Sequence, residues 1–192
     1  MYHIKKDKRS VQSSQAIYNA LMIIAQDKLC KNISITEIVS QAQVGRATFY
    51  RNFDCIDDVL RYKLDQNLDQ MCEKIKSFYS LSKDPISPST STTLKPILQY
   101  IYDNSAVYQV LVDNERYDLL RENFIKLIKD FWLSLCEQPN YLPDSVTKNF
   151  EYFLEVHASL LIAIITKWIK EDLTILPDDM ANIINGINFK TY

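Results

Sequence analysis

The segment QVGRATFYRNF, residues 43–53, concentrates side chains that suit contacts with double-stranded DNA. An arginine such as Arg46 presents paired N–H donors that match N7 and O6 of guanine, and the small Ala47 can meet a thymine methyl group. The hydroxyl and guanidinium groups that follow suit phosphate oxygens. The outward-facing set that we predict is Arg46, Ala47, Thr48, Tyr50 and Arg51.

Two short helices must position this set. Ser34, with Glu37 three residues later, forms the pattern of a capping box, which predicts a helix from Ser34 to about Ala42. A second short helix is predicted over residues 46–53, with Gly45 as its N-cap residue. Two short helices joined by a turn of this length are typical of a helix-turn-helix, and an ordinary three-helix subdomain with a solvated, arginine-bearing face fits the same pattern equally well.

Further groups near this motif can meet phosphate. Ser34 and Thr36 offer hydroxyl and backbone N–H groups at the start of the first short helix. A basic N-terminal arm could follow the DNA backbone into a neighbouring groove, although a solvated tail is an equally good interpretation without DNA. The arm residues are Lys5, Lys6, Lys8 and Arg9.

Charge is divided unevenly along the chain. Residues 1–64 contain ten Lys/Arg and six Asp/Glu, a balance of 10 − 6 = +4. The remaining residues contain the other twelve Lys/Arg and eighteen Asp/Glu, a balance of 12 − 18 = −6. This asymmetry favours a basic module that meets an anion and is attached to an acidic body.

The rest of the sequence predicts an all-α protein. Two glycines and six prolines in 192 residues leave few helix breakers, and apolar residues recur mostly at spacings of three and four. Helices are predicted over residues 13–29, 34–42, 46–53 and 54–79, followed by a flexible connection at 82–93. Helices then follow from residue 94, around 120–135, at about 145–170, and from Pro177.

The four cysteines are far apart and form no metal-ligand spacing, which predicts reduced thiols in the cytoplasm. The first residues show no apolar signal segment, and the longest apolar run, residues 160–165, is too short to span a bilayer. We therefore expect a soluble protein with no membrane partner. No metal or cofactor is predicted.

The run from Ser34 to Phe53, followed by DDVL at residues 57–60, resembles the DNA-binding domain of TetR-type transcriptional regulators. The resemblance implies a helix-turn-helix domain at residues 10–70, joined by a long helix to an effector-binding and dimerisation domain at residues 71–192. It further implies a homodimer that binds a palindromic operator and responds to a small apolar or aromatic effector. We expect the regulator to act as a repressor rather than as an activator.

Two positions depart from the family pattern. Where the family usually has glycine in the turn and Ser or Thr before the recognition helix, this chain has Gln43 and Gly45. Gln43 is therefore predicted to adopt a left-handed backbone at a cost of roughly 1 kcal/mol. Ile56 stands where a residue that touches phosphate is common, so we expect one phosphate contact fewer there.

The C-terminal half carries weaker signals. Its last two helices have more apolar surface than one subunit can readily cover, which favours a dimer contact over an internal core. The predicted contact residues are Phe153, Leu160, Leu161, Ile164, Ile184 and Ile187. Aromatic residues could line an effector pocket, although core packing is the commoner role. The predicted pocket residues are Tyr100, Tyr108, Phe124, Phe131 and His157.

Two other classes of function compete with a DNA-binding regulator. An enzyme is disfavoured because the two histidines, His3 and His157, lie in the N-terminal tail and on an apolar stripe, and because the chain has no glycine-rich phosphate loop and no GxSxG motif. His157 on such a stripe fits a hydrogen-bonded core residue better than a metal ligand. A helical interaction module with a degenerate helix-turn-helix remains the main alternative.

Overall fold

The computed structural model describes residues 1–81, 91–135 and 147–186, with side chains described for residues 1–75, 94–130 and 147–186. Every regular element in these ranges is helical, and one isolated antiparallel bridge joins Tyr2 to Phe53. The prediction of an all-α protein is confirmed.

Three helices form the N-terminal domain. They are α1 (Lys8–Ile24), α2 (Ile35–Gln41) and α3 (Arg46–Asn52), with a 3₁₀ turn at Cys30–Asn32. The first helix begins and ends about five residues earlier than predicted. It begins at Lys8 because the Asp7 side chain accepts a hydrogen bond from the backbone N–H of Ser10 at 2.9 Å and so caps its first turn.

A long helix leads from this domain into the body. Helix α4 (Ile56–Leu81) begins where the carboxylate of Asp58 accepts hydrogen bonds from the backbone N–H groups of Asp54 and Cys55, at 3.2 and 3.3 Å. The carboxylate that caps α4 is therefore that of Asp58, in the first turn of the helix. Asp58 is almost completely buried at this junction.

Five further helices form the described part of the body. They are α5 (Ser91–Asp103), α6 (Ser105–Asp113), α7 (Tyr117–Leu135), α8 (Phe150–Lys170) and α9 (Pro177–Gly186). Helix α7 packs against α4 and α8, and α9 packs against α5. The start of α9 at Pro177 was predicted, whereas the sequence left open one helix or a broken pair after residue 94, and the structure has a break between α5 and α6. Most of the predicted connection at 82–93 lies outside the described residues, and its last three residues belong to α5.

One continuous apolar core runs from the N-terminal domain into the body. In the domain it is centred on Ile17, Leu21, Ile38 and Phe49, all of them fully buried. Truncating a buried phenylalanine such as Phe49 typically costs about 3–5 kcal/mol, so the packing behind α3 fixes the orientation of its outer face.

Candidate nucleic-acid interface

The turn between α2 and α3 has a defined geometry that orients the two helices. Gln43 has φ 54°, so the predicted left-handed backbone is confirmed. The backbone N–H of Val44 donates to the carbonyl of Val39 at 3.0 Å, and that of Gln43 donates to the carbonyl of Ser40 at 3.2 Å. This pair of bonds is the Schellman motif, which ends α2 and satisfies its last carbonyls.

Gly45 is the N-cap residue of α3, as predicted, but its backbone does not require a glycine. Its φ is −76°, which any residue adopts, and a Cβ atom built on it would have no protein atom within 4 Å. The residue that needs glycine-like freedom is Gln43. The space in front of Gly45 is open to whatever approaches α3 from outside.

Helix α3 divides cleanly into a buried and an exposed side. Phe49 and Asn52 are fully buried, while Tyr50 is 50% exposed. Gly45, Arg46, Ala47 and Arg51 are exposed as well, and Thr48 is half-buried. The structure therefore brings the predicted set together on one outward surface, which we call the recognition face: residues 45–48, Tyr50 and Arg51.

A buried polar network, which the sequence analysis missed, holds the end of α3. The Asn52 side-chain amide donates to the carbonyl of Thr48 at 2.8 Å and to Ser13 Oγ at 3.2 Å, while its Oδ1 accepts from Ser10 Oγ at 2.7 Å. The Asn52 carbonyl accepts from the backbone N–H of His3 at 2.8 Å. An Asn at the end of a helix, facing serines three residues apart on α1, was the available signal.

The N-terminal arm contacts the protein instead of extending as a tail. Beside the bridge between Tyr2 and Phe53, the Tyr2 hydroxyl donates to Asp65 on α4 at 2.8 Å. Lys8 and Arg9, predicted as part of the arm, form the first turn of α1. Lys5 and Lys6 precede that turn and are exposed. The contacts of Tyr2 therefore hold the segment before Lys5 and Lys6 close to the end of α3.

The remaining predicted phosphate ligands lie at the start of α2. Ser34 and Thr36 are exposed. The Ser34 hydroxyl is already part of the predicted capping box, since it accepts from the Glu37 backbone N–H at 3.2 Å and donates to the Glu37 carboxylate at 2.9 Å. Thr36 has no hydrogen bond of this kind and is the more accessible donor.

The cations around the recognition face have no acidic partner. Among the residues that the structure describes, no salt bridge involves Lys5, Lys6, Lys8, Arg9, Arg46 or Arg51. Lys28 and Glu37, at the edge of the same domain, do form an ion pair. Unpaired cations on a convex helical surface can neutralise phosphate charges without first losing an internal partner.

The predicted effector residues lie mostly in the core. Tyr100, Tyr108 and Phe124 are almost completely buried, and the Tyr100 hydroxyl donates to Gln70 Oε1 at 2.8 Å. His157 Nδ1 donates to the carbonyl of Phe153 at 2.8 Å, one helical turn earlier. The side chain of Phe131 lies outside the described residues.

The two cavities that we describe lie elsewhere. One, of about 320 Å³, lies between the N-terminal domain and the body and is lined by Leu29–Lys31, Ile56, Asp57 and Asp113–Arg116. The other is a groove of about 490 Å³ along α8, lined by Tyr117, Ile162, Ala163, Thr166, Lys167, Lys170 and Glu171. None of the predicted pocket residues whose side chains the structure describes lines either one, and Tyr100, Tyr108 and Phe124 belong to the buried core instead.

The predicted dimer residues are split between two sides of the last helices. Leu161 and Ile184 are buried inside the protomer, so neither offers a contact surface, which corrects that part of the prediction. Phe153, Leu160 and Ile164 are half-buried, and Ile187 lies outside the described residues. The apolar side chains that are exposed on α8 are Tyr152, at 76%, and Val156, at 65%, and on α9 Ile183, at 48%.

Helix α8 is apolar on both sides. Within the described ranges, it is the one helix whose length and composition would allow it to cross a membrane. A core helix of a soluble protein passes the same test, and Leu154, Ala158, Leu161, Ile165 and Trp168 pack on the inner side of α8. Its outer side is a stripe of residues that includes Tyr152, Val156 and Ala163. We call this stripe the α8 outer face.

Comparison with known families identifies the chain. Residues 89–189, slightly more than half of it, match the family model of a TetR-type transcriptional regulator C-terminal region. With the helix-turn-helix already described, the chain belongs to the TetR-type transcriptional regulators, and the enzyme alternative is rejected. No match was found among the curated proteins.

Solved structures share the fold at low sequence identity. Lin0861 from Listeria innocua has a TM-score of 0.72 at 17% identity, covering 96% of this chain and 93% of that one. A protein from Syntrophomonas wolfei assigned to the TetR family has a TM-score of 0.62 at 18% identity, covering 92% of each chain. The dihydroxyacetone kinase operon activator DhaS has a TM-score of 0.59 at 17% identity, covering 92% and 94%.

Proposed function

We propose that this regulator binds double-stranded DNA through the recognition face, as a homodimer whose affinity for its operator is changed by a small effector. The observation that carries the proposal is the recognition face itself. Its arginines are exposed and unpaired, while Phe49 and Asn52 on the opposite side fix its orientation. We assign Arg46 to a base edge, and Tyr50 and Arg51 to phosphates.

A second copy of the chain is the proposed occupant of the α8 outer face. Tyr152 and Val156 are far more exposed than apolar side chains need to be in a folded monomer, and α8 already uses its inner side for the core. A symmetric contact through α8, with Ile183 of α9 in the same interface, would bury these groups on both copies at once. Two recognition faces would then meet two half-sites of one operator.

The effector is proposed to reach polar groups buried between α4, α6 and α7. Asn67, Tyr108 and Asn123 are almost fully buried, yet both amide atoms of Asn67, the Tyr108 hydroxyl and the Asn123 carbonyl oxygen have no hydrogen-bond partner. Burial raises the pKa of Tyr108, and an interaction with the Asn67 side chain lowers it in part, so these two unpaired groups are neighbours that lie outside good hydrogen-bond geometry. Since unpaired buried polar groups are rare, we infer an effector that is largely apolar but carries hydrogen-bonding groups.

The sign of regulation is a separate part of the proposal. Repression requires only that the dimer block a promoter, and we propose it as the activity. DhaS, which shares the fold, is named as an activator of its operon. A transcription assay with the purified protein on its own upstream DNA distinguishes the two: repression lowers transcript yield, and an increase would reverse the assignment.

The test of DNA binding is a titration of the protein with the intergenic DNA beside its own gene at several salt concentrations. We expect sequence-preferring binding that weakens steeply as the salt concentration rises. The reason is that the protein's Lys and Arg side chains release counterions from the DNA phosphates, which is less favourable at high salt. Arg46→Ala should cost about 1–3 kcal/mol and reduce sequence preference, while Tyr50→Phe should cause a smaller loss that is the same for all sequences.

Lys129→Ala is the matched control for charge, because Lys129 is exposed on α7, in the body. It should leave DNA affinity unchanged. Equal binding to every DNA sequence, or an equal loss with Arg46→Ala and Lys129→Ala, would favour the alternative of a helical interaction module whose helix-turn-helix no longer reads DNA.

A further inference from the structure

Three ion pairs connect α4 with α7 and with the turn that precedes α7. Asp57 pairs with Arg116, Arg61 Nε lies 3.3 Å from Glu122 Oε2, and Lys126 Nζ lies 2.8 Å from Asp65 Oδ1. We call these three pairs, in this order, rungs one, two and three of the charge ladder. The first residues of α4 belong to the N-terminal domain and α7 to the body, so the ladder lies on the seam between them.

The charges of the ladder alternate along each side. On α4 the order is negative, positive, negative at residues 57, 61 and 65, and on the other side it is positive, negative, positive. The residues on α4 are four apart, as are Glu122 and Lys126 on α7, which is close to one helical turn, or about 6 Å along the axis. Rungs two and three are therefore about one turn apart on both sides, while Arg116 of rung one precedes α7 and lies six residues before Glu122.

This alternation makes the ladder sensitive to position. If α7 moved one turn towards the start of α4, Lys126 would face Arg61. If it moved one turn the other way, Glu122 would face Asp65. Both displacements replace attraction by repulsion between like charges, which is unfavourable at such contacts. Attraction at all three rungs exists at one position only.

The third rung also reaches the recognition helix. Asp65 accepts the Tyr2 hydroxyl at 2.8 Å with the carboxylate oxygen that Lys126 does not contact. Tyr2 in turn pairs with Phe53, the residue that follows α3. A second, buried contact supports the same register, since the Asn123 amide donates to the carbonyl of Leu64 at 3.2 Å.

We propose that the charge ladder is a register lock, which positions the N-terminal domain on the body and so sets where the recognition face stands relative to its partner copy. The six ladder residues are positioning residues, since they act on DNA through α3. The effect on DNA rests on the proposed function, whereas the effect on the seam rests on the ladder alone.

The experiment compares Arg61→Glu, Glu122→Arg and the double variant in which the two charges are exchanged. The first single change places two carboxylates together at rung two, the second places two guanidinium groups together, and the exchange restores attraction within rung two, while the 3.5 Å contact of Arg61 Nη1 with Asp58 Oδ1 is lost in both Arg61 variants. We expect each single change to weaken DNA binding by about tenfold, in the range typical of coupled sites, and the exchange to restore it to within about threefold. Neutralising the rung with Arg61→Gln and Glu122→Gln should have a smaller effect than either reversal.

Two readouts separate positioning from other roles. If Arg61 bound phosphate directly, Arg61→Glu would change the slope of log affinity against log salt by about one or more, and the double variant with exchanged charges would not restore that slope. Loss of register, in contrast, leaves the slope nearly unchanged. Arg121→Glu, which breaks the α7–α8 pair with Glu155, is the matched structural control. It should lower the melting temperature about as much as Arg61→Glu while leaving DNA affinity unchanged.

Hydrogen exchange along α4 and α7 tests the ladder without DNA. Single reversals should lower protection along the seam, and the exchanged pair should restore it. If the wild-type protein failed to bind DNA but the hydrogen-exchange protection of the variants changed in this way, the proposed function would fail and the register lock would stand. If the exchanged pair restored neither protection nor affinity, the register lock would be wrong.

Discussion

The recognition face and the seam use the same kinds of side chain for opposite purposes. Arg46 and Arg51 point outward with no acidic partner among the described residues, while Arg61 and Arg116 on the seam each contact a carboxylate. A cation that is already paired must lose that partner before it can bind DNA, and one that is unpaired need not. Groups that the protomer leaves without a partner therefore mark the surfaces where something else binds.

The α8 outer face offers the largest test of this rule, because its unpaired groups are apolar. Tyr152→Glu combined with Val156→Glu should prevent dimer formation, since two copies would place four carboxylates in one apolar interface. Losing bivalent contact typically lowers affinity by about 10²–10⁴-fold, so we expect at least a hundredfold loss of operator binding. Sedimentation velocity and DNA titration measure the two effects.

For that variant, Lys129→Glu on α7 controls for added negative charge and should remain dimeric. A double variant that stayed dimeric with unchanged affinity would show that the outer face has another role, and that exposure alone does not identify the interface.

Asn67→Leu tests the rule for buried polar groups. The substitution removes two unpaired polar atoms from the core at nearly constant shape, so the free energy of unfolding should rise by about 1–3 kcal/mol, as measured by urea denaturation. We also expect the Asn67→Leu variant to lose its response to the proposed effector. Asn123→Leu is the matched contrast, because it gives up the bond to the Leu64 carbonyl and should not stabilise. A destabilised Asn67→Leu protein would mean that Asn67 already has a structural partner.

Replacing one paired and one unpaired arginine by alanine tests the same comparison with smaller expected effects. Arg121→Ala should lower the free energy of unfolding by about 0.2–1 kcal/mol, as is usual for an exposed ion pair, and leave DNA affinity unchanged. Arg51→Ala should leave stability unchanged and lower the salt slope of DNA binding by about one. Thermal melts and salt titrations of both variants decide this, and matching profiles for the two would remove the distinction.

The smallest effect is expected at Glu37, a paired group beside the recognition face. The hydrogen bond from Lys28, with those from the Ser34 backbone and hydroxyl, lowers the pKa of Glu37 to about 2 from 4.5. Because the folded-state pKa is depressed, the stabilisation is complete above pH 4.5 and is lost as the pH falls towards 2. Wild type should therefore exceed Glu37→Gln in stability at pH 7, and the difference should shrink on acidification, with DNA affinity at pH 7 little changed. A difference independent of pH would contradict this.

Local signals in the sequence predicted much of the fold and of the interface. The capping box at Ser34 and the outward set on α3 follow from spacings within a few residues, and the left-handed Gln43 follows from the comparison with the family pattern. The start of α1 was missed because Asp7, whose side chain caps the helix at Ser10, lies within a charged sequence that resembles a solvated tail. Asn67 and Asn123 were missed although both occupy apolar-spaced positions on their helices, a signal that could have found them.

The contacts between distant segments could not be predicted. Helix α8 is apolar on both sides, so its periodicity does not tell which side faces inward, and Leu161 was assigned to the wrong side. Tyr100 and Tyr108 are equally compatible with a pocket and with a core until their neighbours are known. The charge ladder depends on the register between two helices about sixty residues apart in sequence, which no local pattern encodes.

The apolar residues on the outer side of α8 also affect the stability of a newly synthesised chain. If a second copy covers the α8 outer face, as proposed, a newly made chain exposes these apolar residues to water until it meets another copy. When association covers such a surface, stability depends on concentration, and thermal melting shifts upward as protein is added. A scarce regulator of this design would be the most exposed to proteolysis, so synthesis rate and survival would be linked without any additional factor.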